Sequence, residues 1–204
     1  AQLKDANTSV SLSGLSMVFQ FNGSSQAATT NGSGQAVASF AAPASSGAYA
    51  FAVTYQGGSV YAVSSDSEPV TVGQRVVSVA LPDYNSNALS PFSPVATVID
   101  AGSGQPIVGR AVTFVFQNST ETAATNGLGS ATTNYVSPAG IGSYPLTAAT
   151  AGDATYAVGY ASATVSIQSF SSTITVSNAS SFVSQVFIAS ATVLRSYDSA
   201  PLVG

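Results

Sequence analysis

The residue types that perform most enzyme and metal chemistry are missing from this chain of 204 residues, which contains no histidine, cysteine or tryptophan. Nucleophile pairs of serine or cysteine with histidine, and metal sites built from thiolates or imidazoles, are excluded by this inventory. The remaining acidic groups are eight carboxylates: Asp5, Asp66, Glu68, Asp83, Asp100, Glu121, Asp153 and Asp198. We therefore predict that the protein is not an enzyme, has no catalytic residue and binds no cofactor.

Asp66 and Glu68 lie two residues apart, so both side chains face the same side of an extended strand, and Asp83 follows nearby. A calcium ion needs six or more oxygen ligands. A carboxylate pair that hydrolyses glycosides would have no tryptophan platform here to hold the sugar. We therefore interpret these carboxylates as solvated turn residues and predict no metal site.

Five Asn-x-Ser/Thr triplets, none with proline in the middle, are acceptor motifs for N-linked glycans: Asn7, Asn22, Asn31, Asn118 and Asn178. The alternative interpretation is ordinary polar loop chemistry, with Asn31 serving as the first residue of a tight turn. We predict glycans on at least two of the five, and above all on Asn118 and Asn178, because each follows a predicted strand at an exposed end. A sugar on Asn7 would clash if that segment were buried as a donated strand.

The sole lysine, Lys4, is a candidate for a spontaneous isopeptide bond to an asparagine, which would cross-link subunits. Such a bond needs a buried carboxylic acid beside the pair. The other interpretation is a solvated charge that keeps the end of an N-terminal strand soluble.

Charged residues make up only 6% of the chain, where about 25% is usual for soluble proteins, and the formal net charge is −4. Four basic residues are too few to neutralise a phosphate backbone, so we predict no nucleic-acid partner. No apolar run is long enough to span a membrane, and we expect any secretion signal to be already removed or never present. Serine and threonine form roughly a quarter of the residues, which together with the low charge favours a secreted protein.

Alternating apolar and polar residues predict strands with one buried face along most of the chain, for example at 15–21. Turn signals separate these segments, and Asn31-Gly32 and Asn126-Gly127 suit the positive φ angles of tight hairpins. No segment shows a convincing helical period with caps. About seven short strands in a unit of 95 residues predict an all-β fold of antiparallel sandwiches.

The sequence repeats without a gap when it is shifted by 95 residues, so that Tyr49, for example, falls on Tyr144. By this shift, residues 76–170 form one complete domain. Residues 1–75 form an incomplete domain that lacks its opening strands, and residues 171–204 carry the opening strands of a further domain.

Three motifs of the complete domain, at 106–114, 124–129 and 151–157, resemble the immunoglobulin-like repeats of bacterial and archaeal surface proteins. The resemblance implies that the Pro-x-x-Gly run leads into the third strand, that the Asn-Gly motif is a hairpin turn and that Gly-Asp-x-x-Tyr joins the last two strands. The predicted fold is therefore a tandem of immunoglobulin-like β-sandwiches. Such repeats serve as spacers, adhesins and filament subunits alike, so the fold alone leaves the function open.

A β-domain without its opening strands has an unpaired edge and an open core, and another copy of the chain is the expected source of the missing strands. The candidate donor residues are Leu3, Ala6, Thr8, Val10 and Leu12 in a strand of the N-terminal tail 1–14, and Ile174, Val176, Phe187, Ala189 and Val193 in two strands predicted at 172–176 and 185–193. A head-to-tail contact of this kind does not close, so it produces a filament. The alternatives are closure within one chain and two independently stable but irregular domains.

This arrangement is similar to donor-strand complementation in bacterial chaperone–usher pilins. With the low charge, the serine and threonine content and the five glycosylation motifs, the chain resembles the subunit of the archaeal thread filament still more. The resemblance implies an extracellular cell-surface filament, a homopolymer whose subunits are joined by a donated strand and carry N-linked glycans, and it leaves open which terminus donates. The alternative function is an immunoglobulin-like spacer or adhesin module of a cell-surface protein.

Overall fold

A computed structural model describes residues 1–195 and residue 200. The described residues form strands, turns and loops and no helix, which confirms the predicted all-β class. Asp198 and the other residues beyond 195, apart from residue 200, lie outside this description. The chain divides into two compact units. Unit 1 comprises Ala1–Arg75 with Gly152–Ala157, and unit 2 comprises Val76–Ala151 and the chain from Val158 onward.

Unit 1 contains one antiparallel sheet of four strands in the spatial order β2-β1-β3-β4. Their bounds are β1 Ser16–Phe21, β2 Ser24–Thr29, β3 Gly47–Tyr55 and β4 Ser64–Val72. Alternate residues of β1 are buried, as the two-residue period of the sequence predicts. The core of the unit consists of Leu3, Met17, Phe19, Ala36, Val53 and Tyr55.

The described residues of unit 2 form twelve strands, which are β5 Val77–Ala80, β6 Tyr84–Asn87, β7 Pro91–Phe92, β8 Val95–Asp100, β9 Ala111–Phe116, β10 Ser119–Ala124, β11 Ser130–Thr132, β12 Tyr135–Val136, β13 Gly142–Thr150, β14 Gly159–Gln168, β15 Ser172–Val176 and β16 Ala191–Arg195. The larger sheet has the order β10-β9-β13-β14-β6, and a smaller sheet has the order β11-β8-β5. Two strand pairs, β12-β7 and β15-β16, complete the unit. Every pairing is antiparallel except that of β14 with β6, which is parallel.

One strand in each sheet of unit 2, β9 and β8 respectively, buries every second residue. In the larger sheet β9 buries Val112 and Phe114, and in the smaller sheet β8 buries Ala96 and Val98. Two sheets that each supply one apolar face to a common core form a β-sandwich. The structure thus confirms the predicted antiparallel sandwich.

Asn31-Gly32 and Asn126-Gly127 lie in turns, but the predicted tight hairpins are wrong. Strands β10 and β11, on either side of Asn126, belong to different sheets, and the positive φ angles fall on Gly34 and Gly129. The asparagine side chains fix these turns. Asn31 Oδ1 accepts hydrogen bonds from the backbone N–H of Ser33 and of Gln35, at 2.9 and 3.0 Å. Asn126, one repeat later, accepts the equivalent bonds from Leu128 and Ser130, at 2.9 and 3.1 Å. An asparagine side chain that binds the backbone two residues on replaces a ladder bond and fixes the turn.

The 95-residue repeat extends to the strand boundaries. Strands β1 and β2 of unit 1 correspond to β9 and β10 of unit 2, and β3 and β4 correspond to β13 and β14. The shift also relates β15 to β5 and β16 to β8. The larger sheet of unit 2 therefore has one strand more than its counterpart in unit 1, namely β6.

Two stretches differ from the strands that the sequence predicts. Residues 6–12 do not form a strand, because Asp5 Oδ1 accepts the N–H groups of Asn7 and Thr8 and fixes a turn there. The strand predicted at 185–193 is instead β16, which begins at Ala191. At residues 6–12 the aspartate side chain competes with ladder hydrogen bonds and prevents a strand locally.

Candidate functional site

The outer edge of β4 in unit 1 has no partner among the described strands. In unit 2 the equivalent edge, on β14, is covered by β6. Residues 64–71 of β4 are exposed, whereas Val165 and Ile167 of β14 are 0% and 4% exposed. An open edge and an uncovered apolar face invite another strand to pair there.

Beside this edge lies an apolar cavity of about 270 Å³, which we call the acceptor groove; it is lined by Phe21, Phe40, Ala42, Phe51, Val70 and Val72. The shift by 95 residues relates these to six residues that are all buried in unit 2: Phe116, Tyr135, Ser137, Leu146, Val165 and Ile167. Val70, for example, is 38% exposed, whereas its counterpart Val165 is fully buried. Unit 1 therefore exposes a surface whose counterpart is buried inside unit 2.

Strand β7 supplies part of that cover in unit 2. The ring of Phe92 lies edge-on to Phe116 at a centroid distance of 5.0 Å and is stacked on Tyr135 at 5.9 Å. In unit 1 the counterparts of these two rings, Phe21 and Phe40, are 5.8 Å apart, against 5.6 Å for Phe116 and Tyr135. The aromatic frame that receives Phe92 is thus already in place in the acceptor groove.

The residues that correspond to this cover are exposed at the other end of the chain, in residues 171–195, which we call the C-terminal segment. Every residue from 171 to 192 is exposed, including Ala189, and Val193 is half-buried. Its large exposed apolar side chains are Ile174, Val176, Phe182, Val183, Val186, Phe187 and Ile188. Phe187 corresponds to Phe92. So large a set of exposed apolar residues is typical of an interaction surface.

The C-terminal segment already has the local conformation of the region 76–100 to which it corresponds. Strands β15 and β16 pair in the same register as β5 and β8: Ile174 lies opposite Val193, as Val79 lies opposite Val98. Ser184 has φ 69°, and its counterpart Leu89 has φ 56°.

A hydrogen bond in the loop is repeated as well. The N–H of Gln185 donates to the carbonyl of Phe182 at 3.1 Å, as Ser90 donates to Asn87 at 3.2 Å. The segment is therefore preorganised, and preorganisation lowers the entropic cost of docking.

The candidate donor residues of the N-terminal tail are part of unit 1 instead. Leu3 is buried in the core of the unit, and Leu12 packs against that core. Ala6 and Thr8 lie in the exposed turn, and Val10 is 60% exposed. The structure does not bring these five residues together as one apolar face.

Lys4 is also exposed, and it forms an isolated bridge with Ser11. The isopeptide bond stays a prediction.

The five glycosylation motifs all have an exposed asparagine. Asn22 and Asn118 lie in the hairpin turns β1–β2 and β9–β10, Asn7 lies in the turn after Asp5, and Asn178 follows β15. Asn31 uses its Oδ1 for the turn described above, which leaves the side-chain nitrogen, the atom that carries a glycan, outside those two bonds. Asn126 makes the same bonds although it lies in no glycosylation motif. The turn alone is therefore enough to explain the asparagine at position 31.

The counterpart of Asn178 in unit 2 is Asp83, whose side chain holds a neighbouring strand by a hydrogen bond. Asp83 Oδ1 accepts a hydrogen bond of 2.7 Å from the N–H of Thr164 in β14. The residue of β4 that corresponds to Thr164 is Pro69, which has no N–H to donate. If the C-terminal segment covers β4, Asn178 loses nothing there by carrying a glycan.

The charged groups of the described residues form no cluster of three or more acidic, histidine or cysteine side chains that would hold a metal ion. Backbone hydrogen bonds from Thr8 and Asn7 lower the pKa of the Asp5 carboxyl. Burial raises the pKa of Tyr135, whose hydroxyl donates to the carbonyl of Phe114 at 3.0 Å. The described part of the chain has no helix long and apolar enough to cross a membrane.

Sequence reasoning missed the residues that line the acceptor groove. Phe21, Phe51 and Val70 have the residue types of any sandwich core, so nothing in their type indicates exposure. Comparison of each residue with its counterpart one repeat later, in a domain that has its β6 and β7, is the signal that would have found them.

No protein-family model matches the chain, and no curated protein matches it. Among solved structures, the chain is similar to invasin, a bacterial integrin-binding protein, with 14% identity over 100% of this chain and 43% of that one and a TM-score of 0.48. A 1.5-MDa bacterial ice-binding adhesin is 12% identical over 79% of this chain and 56% of that one, with a TM-score of 0.39. The fibronectin(III)-like modules of Clostridium thermocellum CbhA are 17% identical over 78% and 81%, with a TM-score of 0.32.

Proposed function

We propose that this protein is the structural subunit of an extracellular filament and that it polymerises by strand exchange, with the C-terminal segment of one copy covering the acceptor groove of the next. The observation that supports the proposal most directly is the pairing of an uncovered groove with an exposed counterpart of its cover. Phe187 is 58% exposed, and the space equivalent to that of Phe92 is open beside Phe21 and Phe40.

The repeat supplies a register for the contact. In unit 2, Val165 of β14 lies opposite Tyr84 of β6 in a parallel pair. By the shift, Val70 of β4 lies opposite Ala179 of the incoming copy, and residues 179–182 add a strand to the sheet. Backbone hydrogen bonds to the open edge provide affinity, and side chains that enter the groove provide specificity.

Apolar burial contributes to the strength of such a contact. Ile174, Val176, Val183 and Phe187 correspond to residues that are half-buried in unit 2, namely Val79, Leu81, Ala88 and Phe92. Full burial of such a side chain contributes about 1.5–3 kcal/mol, so four half-buried side chains provide on the order of 3–6 kcal/mol before ordering costs. The preformed turn at Ser184 reduces those costs.

The contact is heterologous, because the groove and the segment that fills it are different surfaces of the chain. A heterologous contact whose rotation does not close generates an open polymer. The serine- and threonine-rich surface and the exposed glycosylation motifs support an extracellular location, with glycans replacing charge as the source of solubility. Glycans beside the exposed edges would also block sideways pairing of sheets.

The test is electron microscopy and sedimentation of the purified full-length chain over a range of concentrations. We expect filaments above a critical concentration, and we expect Val70→Asp to abolish them, because the carboxylate would enter an apolar groove. Val63→Asp is the matched control, since Val63 is 65% exposed, lies outside the groove and corresponds to Val158, which is 73% exposed. A chain that stays monomeric at every concentration would refute the proposal and favour a spacer or adhesin module.

A further inference from the structure

Residues 1–5 of unit 1 take the place that β8 takes in unit 2. The N–H of Leu3 donates to the carbonyl of Gly34 at 2.8 Å, and the N–H of Leu12 donates to the carbonyl of Leu3 at 3.1 Å. Val98 of β8 makes the two equivalent bonds, with Gly129 at 2.8 Å and with Ile107 at 3.1 Å. One side of this short stretch is therefore fixed to unit 1 as β8 is fixed to unit 2.

The other side of the stretch is an open edge. Backbone groups alternate in direction along an extended strand, so Gln2 and Lys4 direct their N–H and C=O groups away from the bonds made by Leu3. Neither residue makes a backbone–backbone hydrogen bond through these groups to any described residue. The counterparts Thr97 and Ile99 face β5, which pairs with that side of β8.

The C-terminal segment carries its own copy of β8, which is β16. In the free chain β16 pairs with β15, Thr173 opposite Leu194 and Thr175 opposite Thr192. In the receiving copy, residues 1–5 already fill the position of β8. If β15 docks beside them as β5 lies beside β8, the edge of β15 that β16 covers must become free. Two strands of the same kind thus compete for one edge of β15.

We propose, on the basis of the strand exchange proposed above, that β15 leaves β16 and pairs with residues 1–5 of the next copy, Thr173 opposite Lys4 and Thr175 opposite Gln2. In the free chain β16 covers the edge of β15. On assembly, residues 1–5 of the receiving copy take the place of β16 at that edge. The registers of the two pairings are the same, so each backbone bond that β15 loses is replaced by an equivalent one. The driving force is then the burial of side chains in the acceptor groove, and the cap keeps free chains from pairing indiscriminately through β15.

A disulfide lock tests the release of β16. The chain has no cysteine of its own, so Ile174→Cys with Val193→Cys, two residues directly opposite in β15 and β16, introduces a single pair. We expect the oxidised chain to form filaments at least tenfold less than the reduced chain, and reduction with dithiothreitol to restore them. Wild-type chain treated with dithiothreitol is the control.

A second cysteine pair tests the new partner. Lys4→Cys with Thr173→Cys places one thiol on each predicted partner, so oxidation during assembly should give a ladder of covalent multimers on a non-reducing gel. Lys4→Cys with Thr175→Cys, which is out of register by two residues, is the matched control and should give a ladder at least tenfold weaker.

The outcomes separate this inference from the proposed function. If the locked and reduced chains polymerise equally and the in-register pair gives no ladder, β15 docks with β16 still attached and the inference is overturned, while strand exchange stands. If wild-type chains form no filaments at all, the proposed function fails first.

Discussion

Phe187 is the side chain through which strand exchange is most directly open to measurement. Its counterpart Phe92 contacts two aromatic rings, at centroid distances of 5.0 and 5.9 Å, and remains half-exposed. Truncation of a fully buried phenylalanine to alanine costs about 3–5 kcal/mol, and an aromatic pair adds about 0.5–1.5 kcal/mol beyond area burial. Because the site is half-buried, we expect Phe187→Ala to weaken the subunit contact by about 2–4 kcal/mol.

That loss corresponds to a critical concentration of polymerisation raised by about 30- to 700-fold, since each 1.4 kcal/mol is a factor of ten. Phe182→Ala is the matched control, because Phe182 is in the same loop, is 81% exposed and corresponds to Asn87, which is exposed in unit 2. The critical concentration is read from the protein that remains in the supernatant after sedimentation. Equal values for the two variants would refute the assignment of Phe187 to the acceptor groove.

Phe187 is exposed in the free chain, so its truncation should leave the folded monomer unchanged. Thermal unfolding of the two variants below the critical concentration, followed by circular dichroism, checks this. If Phe187→Ala lowers the stability of the monomer and Phe182→Ala does not, the side chain of Phe187 packs within its own chain. That result would favour closure within one chain, the alternative given in the sequence analysis.

Further predictions concern assembly, glycans and pH. A chain with Val70→Asp and a chain with Phe187→Asp should not polymerise alone, but an equimolar mixture should form 1:1 dimers by light scattering, since one retains a donor and the other a groove; absence of dimers would exclude a head-to-tail contact. Native protein should carry glycans on Asn118 and Asn178 in peptide mass spectrometry, and unmodified asparagine at both positions would refute the glycosylation hypothesis. The chain has no histidine, so circular dichroism should change little between pH 7 and pH 3. Asp5 has a pKa below its usual 3.8, so the stability that it contributes is present above that value and is lost only as pH falls through its lower folded pKa; a cooperative loss of structure before pH 3 would contradict this.

The sequence predicts much of this fold because its signals are local. The alternation at 15–21 gives β1 with every second residue buried, and the Asn-Gly pairs give turns that depend on one asparagine side chain. The position of residues 1–5 was not predictable in this way, because it depends on Gln2 pairing with Gln35, a contact distant in sequence. Alternating residues at 6–12 favoured a donor strand, but the Asp5 carboxylate accepts two backbone N–H groups and fixes a turn there instead.

The repeat made the incomplete sheet predictable, but it did not indicate which terminus completes it. Each terminus carries a copy of β8, and only the environment of each copy separates their roles. Leu3 is 9% exposed in the core of unit 1, whereas the strand β15 beside the other copy is exposed along its whole length. The terminus that is already integrated cannot be donated without unfolding its own unit, so the C-terminal segment is the better donor.

A donated C-terminal segment would contact the receiving unit at two places, its sheet and the separate edge formed by residues 1–5. Residues 172–175 reach the open edge at Gln2 and Lys4, residues 179–182 reach β4, and Phe187 enters the groove beyond. In unit 2 the equivalent strands β5 and β6 belong to different sheets. A subunit joined in this way leaves only when two separate edges and an apolar pocket open together, so dissociation requires the simultaneous loss of contacts that are individually weak. Charged residues are only 6% of the chain, so this cooperativity rests on backbone hydrogen bonds and apolar packing, which salt screens little.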